Sequence, residues 1–217
     1  MITAEVTFSR TNLIGIKHPM AYPGIDWQTY EDISEELGES SSLHVTYHKG
    51  TLTFMPVTEL HEMLVSLLHS FVTFTGMYLR TNIVSTGTAT LRSRLRLIGV
   101  EPDLSYFVKS ADGHMIKSHV DNEIRFPPDI VAEIDVFHTS DDKFDIYSEL
   151  GIPEFWRYLD GEFQIFLLRD GKYAEAEKSE QLPVLTSKIL GEFLNRGQQE
   201  QQFKVLTDFQ SWLQDRK

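Results

Sequence analysis

Two acidic residues and a lysine in the middle of the chain have the types and spacing for hydrolytic chemistry. Asp103 follows Pro102 at the head of the apolar run Leu104 to Val108. Glu133 lies in the run Asp129 to Val136, where Ile130, Ala132, Ile134 and Val136 form one apolar face and Asp129, Val131, Glu133 and Asp135 share the other. A phosphodiester is hydrolysed with a cation on the phosphoryl oxygen, a water acidified by that cation, and positive charge facing the negative charge that develops. Asp103 and Glu133 on neighbouring strands would hold Mg²⁺ or Mn²⁺ through hard oxygen ligands, with the Ile134 carbonyl as a further ligand. Asp135 sits about 7 Å along the same strand face, so the positive group must come from elsewhere. Lys143, in the first turn of the next helix, is placed to reach back, and the helix N-terminus adds partial positive charge there. Asp129, about 13 Å from Glu133, is too far to share one ion.

The elements that would position these groups are legible. Residues 1–42 read as an N-terminal arm, ending in Pro19, Pro23 and Gly24, followed by a short acidic helix at Asp26 to Leu37. Leu43 to Tyr47 and Thr51 to Met55 flank His48-Lys49-Gly50 as a β-hairpin, stopped by Pro56. From Glu59, the spacing of Leu60, Met63, Leu64, Leu67, Leu68, Phe71 and Val72 predicts about four helical turns. Leu91 to Leu97 alternates with Arg92, Arg94 and Arg96, predicting a strand whose arginine face either lines phosphates beside Asp103 or pairs with surplus acids. After Val136, Thr139 or Ser140 is placed to cap the helix that Gly151 and Pro153 end. Strands at Glu154 to Leu159 and Glu162 to Leu168 join through Asp160-Gly161, and helices follow at Ser187 to Asn195 and Gln198 to Gln214. The result is an α/β chain: a core domain over 43–195 with a central mixed sheet flanked by helices, and a C-terminal helix over 196–217 packing on the core or on a partner copy.

Composition bounds the rest. With 217 residues and 41% hydrophobic content, the chain can bury a full core. No uninterrupted apolar run approaches a membrane span and the N-terminus lacks a leader pattern, so the expectation is a cytoplasmic protein with no membrane partner. The absence of cysteine removes thiolate metal sites and cysteine nucleophiles. A net charge of -12 argues against broad coating of nucleic acid, though a local basic strip suffices for one duplex.

Pro102-Asp103-Leu104-Ser105, then Pro127 to Asp135, then Lys143, Tyr147 and Gly151 to Tyr158 resemble the Uma-type restriction-endonuclease family, as does the hairpin and helix start at Gly50 to His61. That family is assigned to the PD-(D/E)xK nuclease superfamily with the lysine shifted onto the following helix. The resemblance implies a restriction-endonuclease-like fold, a DNA endonuclease and a divalent metal. It carries the acid roles to Asp103 and Glu133, the lysine role to Lys143, and a metal-proximal place to His61 and Glu62 at the start of the first long helix. Read from the helix alone, Glu62 is a solvated first-turn acid and His61 a hydrogen-bonded histidine at the core edge. His138, near the end of the glutamate strand, is a candidate extra acid or base.

Other readings stay open. His44 with His48, or His61 with His69, would serve a histidine metal site, and paired carboxylates also suit glycoside hydrolysis. The acidic balance and the carboxylate at Asp135 fit a nuclease-like fold that binds or dimerises without hydrolysis.

Overall fold

The computed structural model describes residues 16, 18–38, 43–109, 126–136 and 140–216. Its architecture is mixed α/β: the expected central mixed sheet has six strands, and a second sheet of five strands accompanies it. The six-stranded sheet runs β11 (Lys172–Ala176), β10 (Glu162–Arg169), β9 (Glu154–Leu159), β8 (Ile130–Asp135), β7 (Leu104–Phe107), β4 (Val84–Ser85). The five-stranded sheet runs β1 (Met20–Pro23), β3 (Thr51–Pro56), β2 (Leu43–His48), β6 (Ile98–Val100), β5 (Leu91–Ser93), antiparallel throughout.

Three tight turns share one device. Lys49-Gly50, Asp160-Gly161 and Asp170-Gly171 all have positive φ at both residues, the backbone that matches the twist of two-residue hairpins. The Asp170-Gly171 turn adds β11, a strand that the apolar pattern did not single out.

Within the larger sheet, β8 and β9 pair in parallel and all other neighbours pair antiparallel. A parallel pair needs a crossover, and here it contains helix α3 (Lys143–Leu150). The helix therefore starts near the C-terminal end of β8. The expected cap at Ser140 is not made: Asp142 is the N-cap, without a side-chain bond, and the Ser140 hydroxyl turns to Asp135 instead. Thr139 and His138 lie outside the described residues.

The two faces of β8 then divide the molecule. Ile130, Ala132 and Ile134 meet the core formed by α2 (Glu59–Leu79), α4 (Ser187–Gly197) and α5 (Gln202–Gln214). Val131, on the opposite face, packs with Ile146, Tyr147 and Leu150 of α3 and with Leu91, Ile98 and Val100 of the second sheet. That flank of the central sheet is therefore shared by α3 and the second sheet. Helix α1 (Trp27–Leu37), capped by Asp26, covers that second sheet with Trp27, Tyr30, Ile33 and Leu37.

Helix α2 spans 21 residues, close to six turns rather than four. Its buried stripe continues through Thr75 and Gly76, small or polar residues that an apolar count misses; the Thr75 hydroxyl is satisfied by the Phe71 carbonyl. The helix is long and apolar enough to cross a bilayer by length and composition, but Leu64, Leu67, Leu68, Phe71 and Val72 are spent in the core. Helix α5 likewise packs on the core, with Phe209 stacked on Phe71 at 4.3 Å between ring centres.

Candidate active site

Strand register brings the acids together. Leu104 pairs with Ala132 across β7 and β8, and one further step of that antiparallel register sets Asp103 opposite Glu133. Directly opposite residues share a sheet face. Both carboxylates are buried, at 4% and 3% exposure, and both line a cavity of about 50 Å³ with His44, His61, Ile134, Asp135, Ser140 and Lys143.

Asp103 is clamped by donors from three elements. His44 Nδ1 of β2 lies 3.1 Å from Oδ1, His61 Nε2 of α2 lies 2.9 Å from Oδ2, and the Ile134 amide donates to Oδ2 at 2.6 Å. Burial pushes the Asp103 carboxyl up, but the bonds from His44 and His61 and the positive charge of His61 and Lys143 outweigh it. The net effect holds Asp103 well below the usual carboxylate range. His61 is positioned by the cap of α2, where Thr58 Oγ1 accepts from its amide, and it begins the buried stripe of that helix. Burial pulls its pKa down, yet the bond to Asp103 and the charges of Asp103 and Glu62 raise it overall.

Glu133 is held from one helix. Lys143 Nζ donates to Oε2 at 2.6 Å and the Tyr147 hydroxyl donates to Oε1. Residues four apart lie on one helical face, so both reach the same carboxylate. The two partners respond differently: Lys143 is raised, favouring its charged form, while Glu133 is pushed up to about 7. The asymmetry is physical. Burial raises Glu133 and Asp103 adds like charge, so a single lysine facing two buried acids stays charged without neutralising both.

The remaining candidates are placed as follows. Asp135 lines the cavity and accepts from the Ser140 amide and hydroxyl at 2.8 and 2.7 Å; burial nonetheless raises its pKa. Glu62 is 61% exposed at its side chain and touches His61 Nδ1 at 3.1 Å, so it meets the site only through that ring. The arginine face is not formed. The chain folds back after Ser93 into an exposed turn, leaving Arg94 and Arg96 in solvent, while Arg92 lies half-buried over the Tyr30 ring at 5.3 Å. None of the three lines the cavity.

As to metal, two carboxylates beside the Ile134 backbone are hard donors of the type Mg²⁺ and Mn²⁺ take. Among the described residues no three His, Asp or Glu side chains form a ready cage. Any ion would complete its shell from backbone, water or phosphate oxygens, as Mg²⁺ commonly does.

Residues 27–195 match the family model Uma2, described as "putative restriction endonuclease". The chain belongs to the Uma2 family. The matched span runs from the start of α1 into α4 and contains every described residue lining the cavity. A crystal structure from Anabaena variabilis ATCC 29413, described as a "putative nuclease belonging to DUF820", aligns over 69% of this Uma2 chain and 90% of its own. Its identity is 15% and its TM-score 0.48. No curated protein matches the chain.

Two site residues had no role from sequence reasoning. The sequence pairs His44 only with His48 as a metal ligand, and its contact with Asp103 joins segments 59 positions apart. Tyr147 did carry a readable signal, because it follows Lys143 by four on a helix.

Proposed function

We propose that this Uma2 protein is a divalent-metal-dependent DNA endonuclease. One observation carries the reading: two buried carboxylates and a buried lysine, Asp103, Glu133 and Lys143, converge on one cavity. Buried charges this costly persist where they are paired or bind an ion. The Asp103 and Glu133 oxygens and the Ile134 carbonyl would hold Mg²⁺ or Mn²⁺, which would polarise the phosphoryl oxygen and acidify water when bound.

The chain's own groups supply the rest. His44, His61 and the Ile134 amide keep Asp103 ionised and fixed. Tyr147 orients Glu133. Lys143, at the cavity beside Glu133, would meet the phosphate, where its ammonium would stabilise negative charge as it builds and hold the attacking water by a hydrogen bond. Incubation of the pure protein with plasmid and Mn²⁺ tests this: nicking or linearisation is expected from the wild type and not from Glu133→Ala or Lys143→Ala. Cleavage that survives both substitutions overturns the assignment.

A second reading is an interaction module that does not hydrolyse DNA. It is favoured by the engagement of both carboxylates with protein donors and by the lack, among the described residues, of a cluster of three side chains that could hold an ion. No saturable Mn²⁺ binding heat and no cleavage would favour it.

A further inference from the structure

Arg157 lies one strand over from Glu133. Glu133 is in register with Arg157 across β8 and β9, and Arg157 with Gln164 across β9 and β10. The three side chains thus form a row on the site face of the sheet, about 5 Å between strands. The Arg157 side chain is only 10% exposed. Its guanidinium lies 5.1 and 5.7 Å from the ring centres of Phe144 and Phe166, and Nε and Nη2 both donate to Gln164 Oε1 at 3.2 and 2.9 Å.

Gln164 fixes the plane of this fork but carries no charge. The counter-charge is Asp141, which accepts from Nη1 at 2.6 Å and whose side chain is 71% exposed. Asp141 stands in the turn that leads into α3, immediately beyond Ser140 of the cavity wall. A buried, oriented guanidinium whose acidic partner among the described residues is a surface carboxylate has the form of an anion site filled by a stand-in. An ion pair with so exposed a partner contributes about 1 kcal/mol or less, whereas a planar fork suits a phosphate with two oxygens.

We propose that Arg157 is a phosphate-binding residue, taking a backbone phosphate of the strand bound at Glu133 and releasing Asp141 to solvent. The proposal rests on the nuclease reading above. A purely structural Arg157–Asp141 pair would anchor the start of α3 and bind nothing.

A double-mutant cycle separates these. Affinity of the full chain for a short DNA duplex is measured by fluorescence anisotropy over a range of salt concentrations, without divalent metal, for wild type, Asp141→Asn, Arg157→Gln and the double variant. Asp141→Asn should tighten binding by up to about fivefold. That gain should vanish in the Arg157→Gln background. Arg157→Gln should lower the slope of log affinity against log salt by about 0.9, the signature of one lost phosphate contact. If Arg157→Gln fails to fold, Arg157→Lys, which keeps the charge but loses the fork, takes its place, and loss of the gain in that background is again the expected result. A gain that persists without Arg157 is general electrostatics and overturns the proposal, as does a salt slope left unchanged by Arg157→Gln. Plasmid cleavage with Mn²⁺ is scored in parallel: cleavage with a null cycle sinks the Arg157 site alone, and no duplex binding or cleavage by the wild type sinks both.

Discussion

Asp103 and Glu133 are equally buried carboxyls on one sheet face, yet their surroundings are opposite. Asp103 is gripped by imidazoles from β2 and α2 and by a backbone amide, and is held below the carboxylate range. Glu133 is gripped by a lysine and a tyrosine of α3, and burial pushes it up to about 7. Burial acts alike on both, so the donors decide: three donors, two of them imidazoles, keep Asp103 an anion, while Glu133 shares one ammonium with its neighbour. In the proposed reaction, two acids set apart in this way would suit different tasks, one as a fixed anion and the other exchanging a proton near neutrality.

The largest blow to this contrast should be Lys143→Ala. It strips the cation from two buried acids, and urea unfolding should show about 3–5 kcal/mol less stability. A loss no greater than that of a surface lysine would mean that Glu133 is already neutral. Tyr147→Phe should follow, at about 1.5–3 kcal/mol for a bond to a charged group. Its effect on the Glu133 side should appear as a further rise in the carboxyl's pKa, read from its NMR chemical shift against pH. On the other side, His44→Ala or His61→Ala should weaken Mn²⁺ binding about 10–100-fold by calorimetry, since each removes a donor that orients Asp103. Equal affinity in both variants would show that the amide of Ile134 suffices.

The gentlest test is pH. Glu133 is raised in the folded chain, so its contribution to stability is complete below the ordinary value of 4.5 and is lost as pH rises through about 7. Asp103 is depressed, so its contribution is complete above 3.8 and is lost only as pH falls through its folded value. Glu133→Gln should therefore flatten the stability profile between 4.5 and 7 and leave the acid limb alone. Mn²⁺ affinity in the wild type should climb with pH up to about 7, by at most about tenfold per unit, because one proton leaves Glu133 on binding. A profile already flat from pH 5 would place Glu133 with Asp103.

Much of this was written in local pattern. The alternation from Asp129 to Val136 put Glu133 on the face opposite the apolar one, and Lys-Gly and Asp-Gly pairs marked hairpin turns, because side-chain direction and turn geometry depend only on near neighbours. The same logic placed Lys143 at the start of the crossover helix. Periodicity assigns faces but not partners. It could not show that the arginine alternation breaks after Ser93, that β5 and β6 join a second sheet, or that His44 and His61, 17 positions apart, close on one carboxylate. The sequence alone thus determined which residues are acidic, buried-facing and near a helix start. Only the tertiary structure decided which acid receives the histidines and which the lysine, and therefore which stays ionised, because that depends on donors brought from distant segments into a space where water no longer screens them.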